Sequence, residues 1–144
     1  MTRITKAQQR INDAKYRIYY AVPDAKKLSE DGDQVSLFSW VELNYPEYKF
    51  FHVPNETRGS KFHYIKRQQM GVRGGVSDLI SQKPSGQWSS CAIELKRVGV
   101  KMDSVSDEQH DYLNFVADNG GFAAVCFGCE AGRLAILDYV AGKK

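Results

Sequence analysis

Two apolar, strand-like segments, Val76–Ser81 and Trp88–Lys96, are separated by Gln82-Lys83-Pro84-Ser85-Gly86-Gln87, whose proline and glycine suit a turn. Folding the segments back on one another gives an antiparallel hairpin, and that hairpin constrains everything else in the chain. Its second arm ends Ile93-Glu94-Leu95-Lys96. Glu94 and Lys96 are two apart, so their side chains leave the same face of a sheet. Asp78 closes on that face from the first arm. Without a cation, two close carboxylates repel and at least one pKa rises. Two carboxylates and a lysine around one point suit a divalent cation acting on phosphate. A lone Glu-x-Lys is more simply a surface ion pair. An aspartate on the opposing arm, preceded by a glycine-rich loop, lifts this one above that reading.

The remaining composition narrows the class. At 144 residues the chain is most simply one domain with a real core, and a hydrophobic fraction of 42% fits a folded globule. No apolar run approaches the roughly 20 residues needed to span a bilayer. The start, Met1-Thr2-Arg3-Ile4-Thr5-Lys6, lacks the apolar stretch of a signal peptide. The expected location is cytoplasmic, in a bacterial or phage-infected cell, with no membrane partner and no nucleotide cofactor.

Net charge is only +3, but its distribution is uneven. Between residues 58 and 73 stand Arg58, Lys61, Lys66, Arg67 and Arg73, with no acid and with Phe62 and Tyr64 interleaved. Such a stretch suits a polyanion-binding face, against the alternative of a solvated helix. Cys126-Phe127-Gly128-Cys129 has the spacing of redox and zinc sites, but no second ligand pair accompanies it. Cys91 and Cys126 lie in apolar runs, where cysteine is a small core residue.

Along the chain, residues 1–28 read as an N-terminal extension, partly helical, with Ile4, Ile11 and Ile18 in weak periodicity. A packing or dimerisation arm is the simplest role for it. Residues 29–144 form the main domain. Ser29-Glu30-Asp31-Gly32-Asp33 offers a cap and first-turn acids for a helix ending before Pro46. A strand follows over Tyr48–Val53, then a basic helix over Ser60–Met70 and a glycine loop over Gly71–Val76. After the hairpin come a helix over Asp107–Asn119 capped by Ser104 or Ser106, a strand over Phe122–Phe127 and a helix over Glu130–Val140. This order predicts an α/β fold, a small mixed β-sheet flanked by helices.

Taken together, Gly74-Gly75-Val76-Ser77-Asp78-Leu79, Ile93-Glu94-Leu95-Lys96 and Ser106-Asp107-Glu108-Gln109 resemble the VRR-NUC domain of the PD-(D/E)xK nuclease superfamily. Phe51-His52-Val53-Pro54-Asn55, Arg58 and Phe122–Gly128 extend the likeness over most of the chain from Ser29 to Val140. Ser77 departs from the proline that many relatives carry. The resemblance implies a restriction-endonuclease-like core and a divalent-metal-dependent DNA endonuclease. It implies Asp78 and Glu94 as ligands of Mg2+ or Mn2+, with the Leu95 carbonyl as a further ligand. Lys96 becomes the catalytic lysine, and Gln109 the glutamine that holds Lys96, a water or a phosphate, unless it is simply a surface residue. An acid from the first helix completes the family's site, here Glu30 or Asp33. Stand-alone members imply a homodimer cutting branched DNA such as Holliday junctions, with Arg58, Lys61, Lys66, Arg67 and Arg73 on phosphates. The alternatives are a flap, nick or duplex nuclease of phage DNA metabolism, or a catalytically silent DNA-binding module.

Overall fold

The computed structural model describes residues 3–54 and 61–144. In chain order the elements are α1 (Lys6–Asp13), β1 (Arg17–Tyr19), α2 (Glu30–Asn44), β2 (Phe51–His52), α3 (Lys61–Gln69), β3 (Leu79–Ser81), β4 (Cys91–Lys96), α4 (Asp107–Asp118), β5 (Phe122–Phe127) and α5 (Cys129–Ala141). The strands form one mixed sheet in the order β1-β5-β4-β3-β2. β4 is antiparallel to β3 and parallel to β5, and the β4–β5 crossover carries α4. The expected hairpin is therefore present, with Leu79 opposite Ile93 and Ile80 opposite Ala92.

The alternation along β4 separates two packing layers. Cys91, Ile93 and Leu95 join Leu37 and Val41 of α2 and Ile136 and Tyr139 of α5. Ala92 faces the other way, with Val105, Leu113 and Val116 around α4 and Tyr16 from the N-terminal segment. Glu94 and Lys96 share the parity of Ala92, so they point to the α4 side. β4 and β5 are buried on both faces, which is why they read as near-continuous apolar runs. Burial pushes the Cys91 and Cys126 thiols well up, and all three cysteines are free and buried. These are core residues, not nucleophiles.

The N-terminal segment is more than an extension. Arg17, Ile18 and Tyr19 pair in parallel with Ala124, Val125 and Cys126, making β1 an edge strand of the sheet. Arg10 Nε donates to the Val105 carbonyl at 3.1 Å, and the Lys15 amide donates to Asn114 Oδ1 at 2.8 Å. Tyr16 Oη lies 2.8 Å from His110 Nδ1. These bonds tie the segment to α4. Ile4 and Ile11 stay exposed, so their spacing with Ile18 marks no buried helix face. The strand expected over Tyr48–Val53 is shorter for a local reason. Pro46–Tyr48 form a 3-10 turn and Lys49 adopts a left-handed φ of 51°, leaving only Phe51 and His52 extended.

Candidate active site

Asp78 immediately precedes β3, one step beyond the Leu79–Ile93 pair, so the ladder carries it opposite Glu94. The Leu95 amide donates to Asp78 Oδ2 at 2.9 Å. Within an extended residue the N–H and C=O leave the same edge of the strand, so the Leu95 carbonyl also faces the Asp78 side. The two carboxyl groups share a hydrogen bond, and Glu94 also accepts from the Asp78 backbone.

Their electrostatics are those of a pair that cannot both ionise in isolation. Glu94 is 3% exposed. Burial first, then the charge of Asp78, push its pKa up to about 9, with Lys96 opposing. Burial also raises Asp78, against the Leu95 amide and the nearby His52, which lower it. Glu94 Oε2 is buried with no hydrogen-bond partner among the described residues. A buried acid oxygen with nothing to answer it, next to a second carboxyl group, is a place where a cation is favourable. The donor set fits Mg2+ or Mn2+. Magnesium uses one or two carboxylates and keeps waters and substrate oxygens for its other positions. Among the described residues no three His, Cys, Asp or Glu side chains gather as a metal cage.

Lys96 is fixed rather than free. Its Nζ donates to Gln109 Oε1 at 3.0 Å and to the Ser104 carbonyl at 2.9 Å. Gln109 is held in turn by a capping box at the start of α4. The Gln109 amide donates to Ser106 Oγ at 3.1 Å, and Gln109 Oε1 accepts from the Ser106 amide at 2.9 Å. One carboxamide oxygen therefore both closes a helix terminus and holds the lysine. Gly75 makes this corner possible. It is buried at φ +81°, and an added Cβ would lie 2.5 Å from the Glu108 backbone. Only glycine lets the loop rest on the first turn of α4 there.

The two first-helix acids separate. Asp33 is 1% exposed, and its Oδ1 accepts from the Cys129 amide at 3.1 Å, at the first residue of α5. With that oxygen it answers the positive end of the helix, while its Oδ2 is buried without a partner among the described residues. Glu30 is exposed, and its charge is one cause of the raised Asp78 pKa. His52 was not singled out in the sequence as a site residue. Its Nδ1 lies 2.6 Å from the Asp78 carbonyl oxygen, a consequence of β2 pairing with β3. The signal available was its place in Phe51-His52-Val53-Pro54.

The basic stretch is described in part. Arg58 and the side chain of Lys61 lie outside the described residues. Lys66 and Arg67 occupy the last turn of α3, where cations also suit the helix dipole. Arg73 lines a groove of about 710 Å³ with Gln68 on one side and Glu108, Asp111 and Tyr112 of α4 on the other. Two acids therefore face Arg73 across that groove, and the groove adjoins the turn that carries Gln109.

Comparison with known proteins identifies the family and the fold. The sequence model of the VRR-NUC domain matches residues 20–129. A solved structure described as a VRR_NUC domain protein superposes with a TM-score of 0.67 at 25% identity, covering 80% of this chain and 90% of that one. A search of the curated proteins finds no match. The fold is thus a restriction-endonuclease-like α/β core with a five-stranded mixed sheet. No helix among the described residues is long and apolar enough to cross a membrane.

Proposed function

The chain belongs to the VRR-NUC domain family, a nuclease family, and from that premise we propose a Mg2+- or Mn2+-dependent DNA endonuclease that cuts branched DNA. The observation that carries the reading is the Asp78–Glu94 pair, with an unanswered buried oxygen beside a lysine that is itself held in place.

Asp78 and Glu94, with the Leu95 carbonyl, would hold the cation, with Glu30 as the acid from α2. When bound, such a cation polarises a phosphoryl oxygen and lowers the pKa of water. Asp78 and Glu94 would position it for the substrate phosphate. Lys96, steadied by Gln109 and Ser104, presents its ammonium to the charge that develops on phosphate. Arg58, Lys61, Lys66, Arg67 and Arg73 hold the DNA through its phosphates, so binding weakens steeply with salt. A cytoplasmic homodimer supplies the two symmetric cuts that a four-way junction needs.

The test is cleavage of a four-way junction, a flap and a linear duplex with Mg2+, Mn2+ or EDTA. Junction cleavage that requires the cation, in paired cuts, supports the whole reading. Duplex cut as fast as junction removes the branched-DNA preference and keeps the nuclease. Binding without cleavage under every cation leaves a silent DNA-binding module.

A further inference from the structure

On the sheet face that carries Asp78 and Glu94, α4 packs over β4 and β5. The strand register puts two more side chains on that face beside the carboxyl pair. Ile80 follows Asp78 by two residues along β3, and Phe51 of β2 is paired with Ile80. Ile80 is half-buried and Phe51 is 42% exposed, so the face stays open here. Where it ends, a concavity of about 450 Å³ is lined by Phe51, Gln82 and Lys83 with Glu47, Tyr48 and Lys49. Both lysines are exposed. Lys83 Nζ lies 5.6 Å from the centre of the Tyr48 ring, which gives the ammonium a seat at the wall. Two lysines against one glutamate leave the concavity cationic. The residues between it and Asp78 along the chain, Leu79 to Gln82, carry no charge. In the sequence Lys49 and Lys83 form no basic stretch; the fold alone brings them together.

We propose that this concavity holds a backbone phosphate of the DNA strand being cut, a few nucleotides from the bond at Asp78 and Glu94. The inference rests on the nuclease reading above and adds to it a second phosphate site, apart from the basic stretch of residues 58–73. Five residues at about 3.3 Å each put Lys83 up to about 16 Å from Asp78 along the strand direction. One strand of stacked DNA advances about 3.4 Å per nucleotide, so that gap spans about five nucleotides, or fewer where the strand is drawn out. Between the two points Ile80 and Phe51 give the strand an apolar floor, and an exposed aromatic ring suits its bases and sugars. Lys49 and Lys83 then fix the direction in which the strand leaves the carboxyl pair, without reading its sequence.

The test crosses a neutral linkage in the DNA with a neutral concavity in the protein. The DNA that wild type cuts best is made intact and with single methylphosphonate linkages stepped outward from the mapped cut. Each is cleaved with Mg2+ by wild type, by Lys49→Ala/Lys83→Ala and by Lys49→Arg/Lys83→Arg, and kcat/KM is compared. Wild type is expected to lose about two- to thirtyfold at one linkage about three to five nucleotides from the cut, the range for two exposed ion pairs. The alanine pair should show that loss on intact DNA and nothing further at that linkage. Its log–log salt slope should be shallower by about 1, the share of one phosphate. The arginine pair keeps the charges and should match wild type. An active wild type with no sensitive linkage at that distance overturns the phosphate site alone. So does an alanine pair that loses the full factor again at that linkage, or an arginine pair as slow as the alanine pair. A wild type that cuts no DNA overturns both this inference and the nuclease reading.

Discussion

Among the described residues two acids are buried, Glu94 at 3% exposure and Asp33 at 1%; each has one carboxyl oxygen without a hydrogen-bond partner, and the difference lies in what else they meet. Asp33 meets the amide of Cys129 at the start of α5, so a helix terminus answers its charge. Glu94 meets another carboxyl group, and Lys96, with the Asp78 backbone, opposes the resulting repulsion. A buried acid bonded to a helix terminus helps to hold the fold together. A buried acid set against a second carboxyl group costs stability, and such pairs cluster where proteins bind something.

Substitution should separate the two most sharply. Loss of groups that merely support metal ligands costs about 10–100-fold in activity. On the proposed reading Asp78→Asn or Glu94→Gln removes a ligand charge outright and should lower cleavage by more than about a hundredfold. Their metal-free melting temperatures should stay level or rise, since a buried repulsion is relieved. Asp33→Ala should do the reverse. It should cost about 1–3 kcal/mol of stability by leaving the Cys129 amide unpaired, and change kcat little well below its melting temperature. Asp33→Asn keeps an acceptor oxygen and should cost less. Thermal melts and single-turnover cleavage of all four variants check this. An Asp33→Ala enzyme that is stable but inactive would reverse the assignment.

The same contrast predicts a dependence on pH. The folded pKa of Glu94, about 9, lies above its ordinary value of 4.5, so the metal-free folded state binds the extra proton. Its contribution to stability is complete below pH 4.5 and is lost as pH rises through about 9. Asp78 shifts in the same direction. A cation must displace that proton, so its apparent affinity should rise by up to about tenfold per pH unit below the folded pKa. The increase in melting temperature on adding Mg2+ should accordingly grow between about pH 6 and about pH 8.5. Glu94→Gln should flatten the trend. A Mg2+ effect that shrinks with rising pH would show that Glu94 is not the group displaced.

How much of this was legible in the sequence follows from the range of each interaction. The hairpin was legible because strand period and turn chemistry are local, and they bring Asp78 to Glu94 in register. Ser106-x-x-Gln109 was legible as a helix start for the same reason. The choice between Glu30 and Asp33 was not. Both sit in the first turn of α2 one helical turn apart, and what distinguishes them is an amide 96 positions away. β1 was missed for a related reason: Tyr16-Arg17-Ile18-Tyr19-Tyr20 carries strand-favouring residues, but only the distant pairing with Ala124–Cys126 makes it an edge strand. His52 was read as part of a matching segment, but its closeness to Asp78 comes from the β2–β3 register.

The smallest effect tests the most economical part of the site, the Gln109 carboxamide. Its Oε1 accepts from both the Ser106 amide and Lys96 Nζ, so Gln109→Ala removes a capping interaction and a lysine tether together. The cap should cost about 1 kcal/mol. Releasing Lys96 should lower kcat about tenfold, with little change in KM because no substrate contact is lost. Gln109→Glu separates the two roles, since Glu closes a capping box as well as Gln does. It should restore the melting temperature and keep Lys96 tethered, recovering most of the rate lost in Gln109→Ala. If Gln109→Glu is as stable as wild type yet as slow as Gln109→Ala, the carboxamide acts on substrate or water directly. In that case Gln109 belongs with Asp78 and Glu94, among the groups kept for what the protein binds.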